Sequence, residues 1–316
     1  MACMDVDNLT KYYGDDRGIE GLTFTVEPGE VFGLLGPEGA GKTTTVRTLM
    51  GLQAPSRGQA SVLEYDIGHR RERTAMKQDI GYLPSEPSFD ESLTGNQLLA
   101  YHASLKDDER SEQLLEQFAL DSQLDKSIRT YTSEQRRLLA TVVAFMHDPE
   151  LVILDEPTVG LDPSTQEQLW TFLDAERQRG TTLFVVSCSL TTACILCDRV
   201  GILRNGHLID FRASRQLPDR GPRIVRFVTS DPVAPDAFSF EHGYSVETEH
   251  TDRRSSDEGR TTRTTVRFVY AGTYETLLEA LSSYTICDLT IEEAPLQELL
   301  AHWYGTRLGK GGGVDV

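Results

Sequence analysis

The chain has 316 residues and a mass of 35.2 kDa, with 39% hydrophobic and 25% charged residues, a balance that belongs to globular proteins and leaves room for one large domain beside a smaller one. Its 49 acidic residues outnumber 31 basic ones, giving a formal charge of −18, and a field of that sign excludes a nucleic-acid partner held by cationic contacts to phosphate. No run of about 18 apolar residues is present to span a bilayer, and the opening MACMDVDNLTKYYG carries acids in place of a secretory apolar core, so a cytosolic chain is expected.

Residues 5–32 alternate as strands do, with Pro28-Gly29 marking a turn, and VFGLL (31–35) reads as a short buried strand. It runs directly into GPEGAGKTTT and then a helix that Gly51 ends. Turn-rich residues follow, then strands in SVLEYDI and DIGYLP. Between Thr94 and Leu120 the apolar residues fall at helical spacing, interrupted by the polar KDDERSE. A helix over 133–147, a buried strand LVILD (151–155), a helix over 163–179, a strand TTLFVVS (181–187) and a helix over 190–197 come next, then RVGILR and the turn Asn205-Gly206. Strands alternating with helices imply a mostly parallel sheet with helices on its faces.

Near Leu217-Pro218 the pattern changes. Short strands are expected around 223–229, 243–249 and 263–270, the last two separated by a charged insert, TDRRSSDEGR. A helix at about 273–283, a strand at 286–292 and an end helix at 295–304 complete a small α+β unit, and the tail GTRLGKGGGVDV is expected to be disordered. The fold class that follows is α/β: a domain with a mostly parallel sheet over 1–217 carrying a helical insert at about 88–130, a small α+β C-terminal lobe over 218–304, and a flexible tail over 305–316; the motif at 36–43 makes the first of these a P-loop nucleotide-binding domain.

Gly36-Pro37-Glu38-Gly39-Ala40-Gly41-Lys42-Thr43 fits G-x-x-x-x-G-K-[ST], placed between a buried strand and a helix start as its mechanism needs. Glycines let the backbone curl so that successive N–H groups, and Thr44 in the first helical turn, face one anion at the helix N-terminus. Lys42 is expected to reach the β- and γ-phosphates and the Thr43 hydroxyl to ligate Mg²⁺. Asp155, 113 residues after Lys42 at the end of LVILD, is placed to hold Mg²⁺ through water. Glu156 beside it can act as general base toward the attacking water.

With these residues in place the chain resembles the ATP-binding-cassette ATPases over roughly residues 4–215. YLPSEP (82–87) falls where that family has its Q-loop, and Tyr131-Thr132-Ser133-Glu134-Gln135-Arg136 where it has its signature. Gly160-Leu161-Asp162 occupies the D-loop position, and CDRVGILRNGHLI (197–209) is similar to the stretch that closes the nucleotide domain. The remainder, above all TICDLTIEEAPLQELLAHWYG, resembles the end lobe of ATPase subunits serving two-component exporters. The resemblance implies ATP hydrolysis coupled to export, with Tyr13 stacking on adenine, Ser85 at the metal, and Ser133 and Gln135 covering the γ-phosphate of a second subunit. It also implies a second cassette, as homo- or heterodimer, and a separate membrane permease that docks on the insert and holds the chain at the inner face of the membrane.

Four places depart from the family pattern. Glu38 stands where Asn is usual, Ser85 where the Q-loop has glutamine, Ser133 and Glu134 where the signature has two glycines, and Cys188 where the switch has histidine. Two unit charges about 4 Å apart repel by roughly 4 kcal/mol at an effective dielectric of 20, so a carboxylate at Glu134 weakens closure on ATP. Binding of MgATP with slow hydrolysis is therefore expected, and the alternative is a regulatory subunit that binds ATP and is paired with a competent cassette. Thr132 and Gln135 still suit a capping box at a helix start.

Two compositional features remain. Only six lysines occur (11, 42, 77, 106, 126 and 310), so most cations are Arg. An acid-rich, lysine-poor surface suits multimolar salt, where the Debye length shrinks to about 3 Å or less, and a halophilic source is expected. The five cysteines are odd in number, and Cys194 with Cys197 reads as neighbouring core thiols on one helix face rather than as half of a zinc site.

Overall fold

The computed structural model describes residues 2–216, 223–231, 233, 243–254, 260–270, 272–294, 296 and 300. The chain divides into two compact units, Met1–Leu217 and Pro218–Val316.

In the first unit, β1 (Met4–Tyr13) and β2 (Asp16–Val26) bury alternate residues, and β3 (Val31–Leu35) is buried throughout. The P-loop leads into α1 (Lys42–Leu49), followed by β4 (Arg57–Val62), β5 (Tyr65–Asp66), α2 (Arg70–Asp79) and β6 (Ile80–Leu83). Helices α3 (Gly95–Ala103) and α4 (Ser111–Gln117) form the insert, before α5 (Ser133–Phe145), β7 (Leu151–Asp155), α6 (Pro163–Gln178), β8 (Thr182–Ser187), α7 (Leu190–Leu196), β9 (Arg199–Arg204) and β10 (His207–Ala213).

A six-stranded sheet runs in the order β10-β9-β3-β8-β7-β6, parallel except for β10 at its edge. VFGLL, LVILD and TLFVVS are buried along their whole length because both faces are covered, by helices and by a second, antiparallel sheet, which is why they read as unbroken apolar runs. A separate antiparallel sheet takes the order β2-β1-β4-β5. Phe24 of that sheet stacks on Phe32 and Phe184 of the parallel sheet, with centroids 5.3 and 6.0 Å away. Close packing also fixes Gly33: a Cβ there would lie 2.7 Å from the Cys197 sulfur.

Three expectations change in this unit. SVLEYDI is two strands, because Leu63 and Glu64 take positive φ (50° and 66°) in a tight turn between β4 and β5. Helix α2 was not anticipated: RRERTAMKQD offers one buried apolar side chain, Met76, too little for a periodic signal. Cys197 is not on the helix face of Cys194, since α7 stops at Leu196 and Cys197 is extended (φ −87°, ψ 145°) and buried.

The insert is tied to the sheet by polar contacts. Arg110, just before α4, makes a bidentate pair with Glu176 of α6 at 2.7 Å for each bond. Lys106 Nζ donates to the Ile80 carbonyl at 2.7 Å and lies 3.1 Å from His147 Nε2. Burial, then the Lys106 charge, push the His147 imidazole down to about 4, and burial brings Lys106 down to about 8. The unfolded chain therefore binds a proton at His147 that the folded chain refuses, so stability present above the ordinary value of 6.5 is lost as pH falls toward 4. In urea melts the midpoint should drop across that window, and His147→Gln should show a shallower drop there than the wild type.

In the second unit, β11 (Arg223–Thr229), β12 (Gly243–Arg254), β13 (Arg260–Tyr270) and β14 (Ile286–Glu293) form an antiparallel sheet in the order β12-β13-β11-β14, with α8 (Tyr274–Leu281). Val225, Phe227, Val266, Phe268, Leu277 and Leu281 make its core. The stretch TDRRSSDEGR is not an insert between short strands: β12 and β13 pair on through it as far as Arg254 opposite Arg260. The expected end helix over 295–304, apart from residues 296 and 300, and the tail over 305–316 lie outside the described residues.

Candidate functional site

The parallel order β3-β8-β7-β6 brings four strand ends side by side, and the P-loop, Ser85, Asp155, Glu156 and Cys188 follow those ends, beyond the carboxyl ends of the strands where open α/β sheets bind ligands. After β3 comes the P-loop. Gly39 and Gly41 hold positive φ (73° and 108°), and a Cβ on Gly41 would meet the Gly18 carbonyl at 2.6 Å. Only glycine allows that curl and that approach. Gly36 is as confined, with the Leu203 carbonyl 2.6 Å from where its Cβ would be, and Pro37 and Ala40 complete the loop beneath the exposed Glu38.

Lys42 opens α1 and is only 8% exposed. Its ammonium donates to the carbonyls of Gly36 (2.7 Å) and Pro37 (3.1 Å) and lies 3.6 Å from Glu156 Oε1. Thr43, next on the helix, is exposed, and Thr44 lies 3.4 Å from the Tyr13 hydroxyl.

Asp155 and Glu156 follow β7. Asp155 is 2% exposed, and its Oδ2 has no hydrogen-bond partner. Burial, then the neighbouring Glu156 charge, raise its pKa, against the opposing pull of Lys42, Arg47 and the Ser85 hydroxyl. A buried carboxylate oxygen without a donor fits a cation, and the hydroxyl and carboxylate oxygens of Thr43, Asp155 and Ser85 are the hard donors Mg²⁺ takes.

Glu156 has φ +49°, a left-handed conformation uncommon outside glycine, of the kind that clusters at functional sites. Its N–H donates to the Val186 carbonyl at 2.8 Å, and its Oε2 accepts from the Ser187 hydroxyl at 3.2 Å. Cys188, one residue on, has its thiol pKa raised by burial and then by the Glu156 charge, so it presents a neutral S–H to the cleft.

Of these residues Glu38, Gly39, Ala40, Gly41, Lys42, Thr43, Thr44, Ser85, Asp155, Glu156 and Cys188 line one cleft of about 540 Å³ with Tyr13 at its rim, whereas Gly36, Pro37 and Ser187 stand behind it. Tyr13 is 44% exposed, and its hydroxyl donates to Gln53 Oε1 at 2.5 Å while Lys11 Nζ lies 5.5 Å from the ring centroid. A Cβ on Gly18 would come within 2.9 Å of that ring.

Ser133 and Gln135 do not line this cleft. They stand at the start of α5, where Thr132 Oγ1 accepts from the Gln135 N–H (3.1 Å) and Gln135 Oε1 accepts from the Thr132 N–H (3.0 Å), a closed capping box. Ser133 is exposed. Several contributors carry no sequence signal: Gly18 and Arg17 of β2, Gln53, Ser187, and Arg137, whose guanidinium reaches the Ser85 and Glu156 carbonyls.

The ABC transporter family model matches residues 19–159. The Nod factor export ATP-binding protein I of Rhizobium meliloti (strain 1021) is 34% identical over 254 residues, covering 78% of this chain and 75% of that protein. The daunorubicin/doxorubicin resistance ATP-binding protein DrrA of Streptomyces peucetius is 32% identical, covering 80% and 78%. The linearmycin resistance ATP-binding protein LnrL of Bacillus subtilis (strain 168) is also 32% identical, covering 72% and 75%. A solved ATP-binding subunit of an ABC transporter superposes with TM-score 0.63 at 29% identity, over 69% of this chain and 95% of that one. A bacterial ABC transporter cassette solved as a dimer has the same fold, with TM-score 0.62 at 20% identity over 67% and 99%.

Proposed function

This chain belongs to the ABC transporter family as an ATP-binding subunit of exporter type, and from that premise we propose that its cleft binds MgATP and hydrolyses it to drive export through a separate membrane subunit. One observation carries the reading. The Lys42 ammonium sits inside the P-loop 3.6 Å from Glu156, beside a buried Asp155 carboxylate oxygen that lacks a donor.

The amides of Gly36, Pro37-flanked Glu38, Gly39, Ala40, Gly41, Lys42, Thr43 and Thr44 form the phosphate cradle, and Lys42 leaves the loop carbonyls for the β- and γ-phosphates. Tyr13, propped by Gln53, takes the adenine ring. Thr43, Asp155 and Ser85 would hold Mg²⁺, which would supply positive charge against the phosphates. Glu156, fixed through its N–H and by Ser187, accepts the proton of the attacking water. Glu38 adds a negative charge at the cleft, and Cys188 supplies an uncharged S–H where the family has an imidazole, so turnover is slow. A regulatory subunit that binds ATP without hydrolysing it is not the favoured reading, because Lys42, Thr43, Asp155 and Glu156 stand together and the relatives are exporter ATP-binding proteins.

Ser133, exposed at the start of α5 and absent from the lining of its own cleft, completes the site of a second cassette, and Gln135 supports it by closing the capping box on Thr132. The nucleotide-binding domain is residues 1–217, its insert at about 88–130 receives the permease, and residues 218–304 are an accessory lobe. Among the described residues no helix is long and apolar enough to cross a membrane. The permease is the proposed attachment to the inner membrane face. The −18 charge suits a halophilic setting, and the thermal midpoint should rise as KCl goes from dilute to molar.

Phosphate release from MgATP by the purified full chain in concentrated KCl tests the reading. Slow turnover that Lys42→Ala removes supports it. No release by the wild type, alone or with its permease, rejects it.

A further inference from the structure

Arg137 is 5% exposed, on the second turn of α5, and does not line the cleft. A guanidinium carries five N–H donors in a rigid planar fork, so it can fix two acceptors relative to each other in a way an ammonium cannot. Here the two arms end on different pieces of the site. Nη1 donates to the Glu156 carbonyl at 3.1 Å, and Nη2 donates to the Ser85 carbonyl.

Both acceptors are informative. Glu156 holds φ +49°, and its N–H is already tied to Val186 at 2.8 Å, so Arg137 secures the other end of the same residue. Beyond it the carboxylate faces Lys42 at 3.6 Å and Ser187 at 3.2 Å. Ser85, through its hydroxyl, acts on Asp155. Burial works against the Arg137 charge, and the charges of Asp155 and Glu156 work for it. One side chain therefore joins helix α5, the loop after β6 and the strand-end acids.

We propose that Arg137 is a positioning residue for hydrolysis, a strut that holds Glu156 in its left-handed conformation and ties the aim of its carboxylate to the Ser85 loop and to helix α5. The inference rests on the reading of Glu156 as proton acceptor. Because the tie to the loop is a backbone carbonyl, it does not depend on which side chain occupies position 85. Movement of α5 or of that loop then changes the direction of the Glu156 carboxylate without touching the nucleotide.

The test uses the full chain with Arg137→Lys, which keeps the charge and loses the fork, and Arg137→Met, which keeps the bulk and loses the donors. MgATP turnover and ADP affinity are measured for each, alone and combined with Glu156→Gln. Misplacing a catalytic group is expected to lower kcat by about tenfold to a hundredfold. KM for ATP and ADP affinity should stay within about threefold, since no phosphate or adenine contact is removed. In the Glu156→Gln background neither change should lower the residual rate further. Wild-type kcat in Arg137→Lys overturns the strut, as does a fall in kcat accompanied by an equal fall in ADP affinity, or a full additional loss on top of Glu156→Gln. If Arg137→Met does not fold, Arg137→Lys carries the test alone. Absence of turnover in the wild type overturns the reading of the site itself and the strut with it, whereas normal turnover in both wild type and Arg137→Lys overturns the strut only.

Discussion

Lys42→Ala should weaken ATP binding, with affinity falling about tenfold to 150-fold in calorimetry, the equivalent of about 1.5–3 kcal/mol for charge-assisted hydrogen bonds. The lysine is buried at the base of the P-loop, where its ammonium donates to the carbonyls of Gly36 and Pro37 and has only to exchange those acceptors for phosphate oxygens. Without it, Glu38, Asp155 and Glu156 face the phosphates with one cation fewer in the cleft. The repulsion and the lost hydrogen bonds act in the same direction. Lys42→Arg is no rescue, since a fork of five donors is bulkier than the ammonium that fits beneath the loop. The thermal midpoint should change little beside the affinity, because the glycine curl at Gly39 and Gly41 is set by backbone conformation.

What the sequence made legible depends on how local the physics is. VFGLL, LVILD and TLFVVS announce themselves because strands covered on both faces have no polar side to show, and the P-loop does because its curl demands glycine at fixed intervals before a helix. The four strand ends that build the cleft could be named but not ordered, since the order β3-β8-β7-β6 is a matter of long-range pairing. Helix α2 escaped because one buried methionine makes no period, and β12 and β13 were cut short because their arms are as polar as a loop. Arg137 escaped for another reason. Beside Arg136 and Leu138 it reads as one more helical cation, and its meaning lies in two carbonyls, 52 and 19 residues away along the chain. Gln135 shows the converse: the capping box was legible in Thr132-Ser133-Glu134-Gln135, and that box turns its side chain back onto the helix start.

Glu156→Gln should separate chemistry from binding in the opposite sense to Lys42→Ala. The amide is nearly isosteric and its oxygen can still accept from Ser187, so the left-handed backbone and its tie to Val186 are retained. It cannot take a proton from water. Loss of a general base costs about 10²–10⁴-fold in rate, so kcat for phosphate release should fall by that factor. Affinity should move the other way or hold, because the substitution removes one negative charge from a cleft that keeps Glu38 and Asp155. Lys42 loses an anionic neighbour 3.6 Å away and is freer to turn toward phosphate. Calorimetry with MgATP on the variant should therefore give a dissociation constant equal to or below that of the wild type, at a turnover near background. Wild-type turnover in Glu156→Gln would mean that water loses its proton to some other group, and the strand-end acid would be a structural residue held in a strained backbone for no chemical purpose. A matched loss of affinity and turnover would instead make Glu156 the counter-charge that keeps Lys42 in place, and the two variants would then report one ion pair rather than two roles.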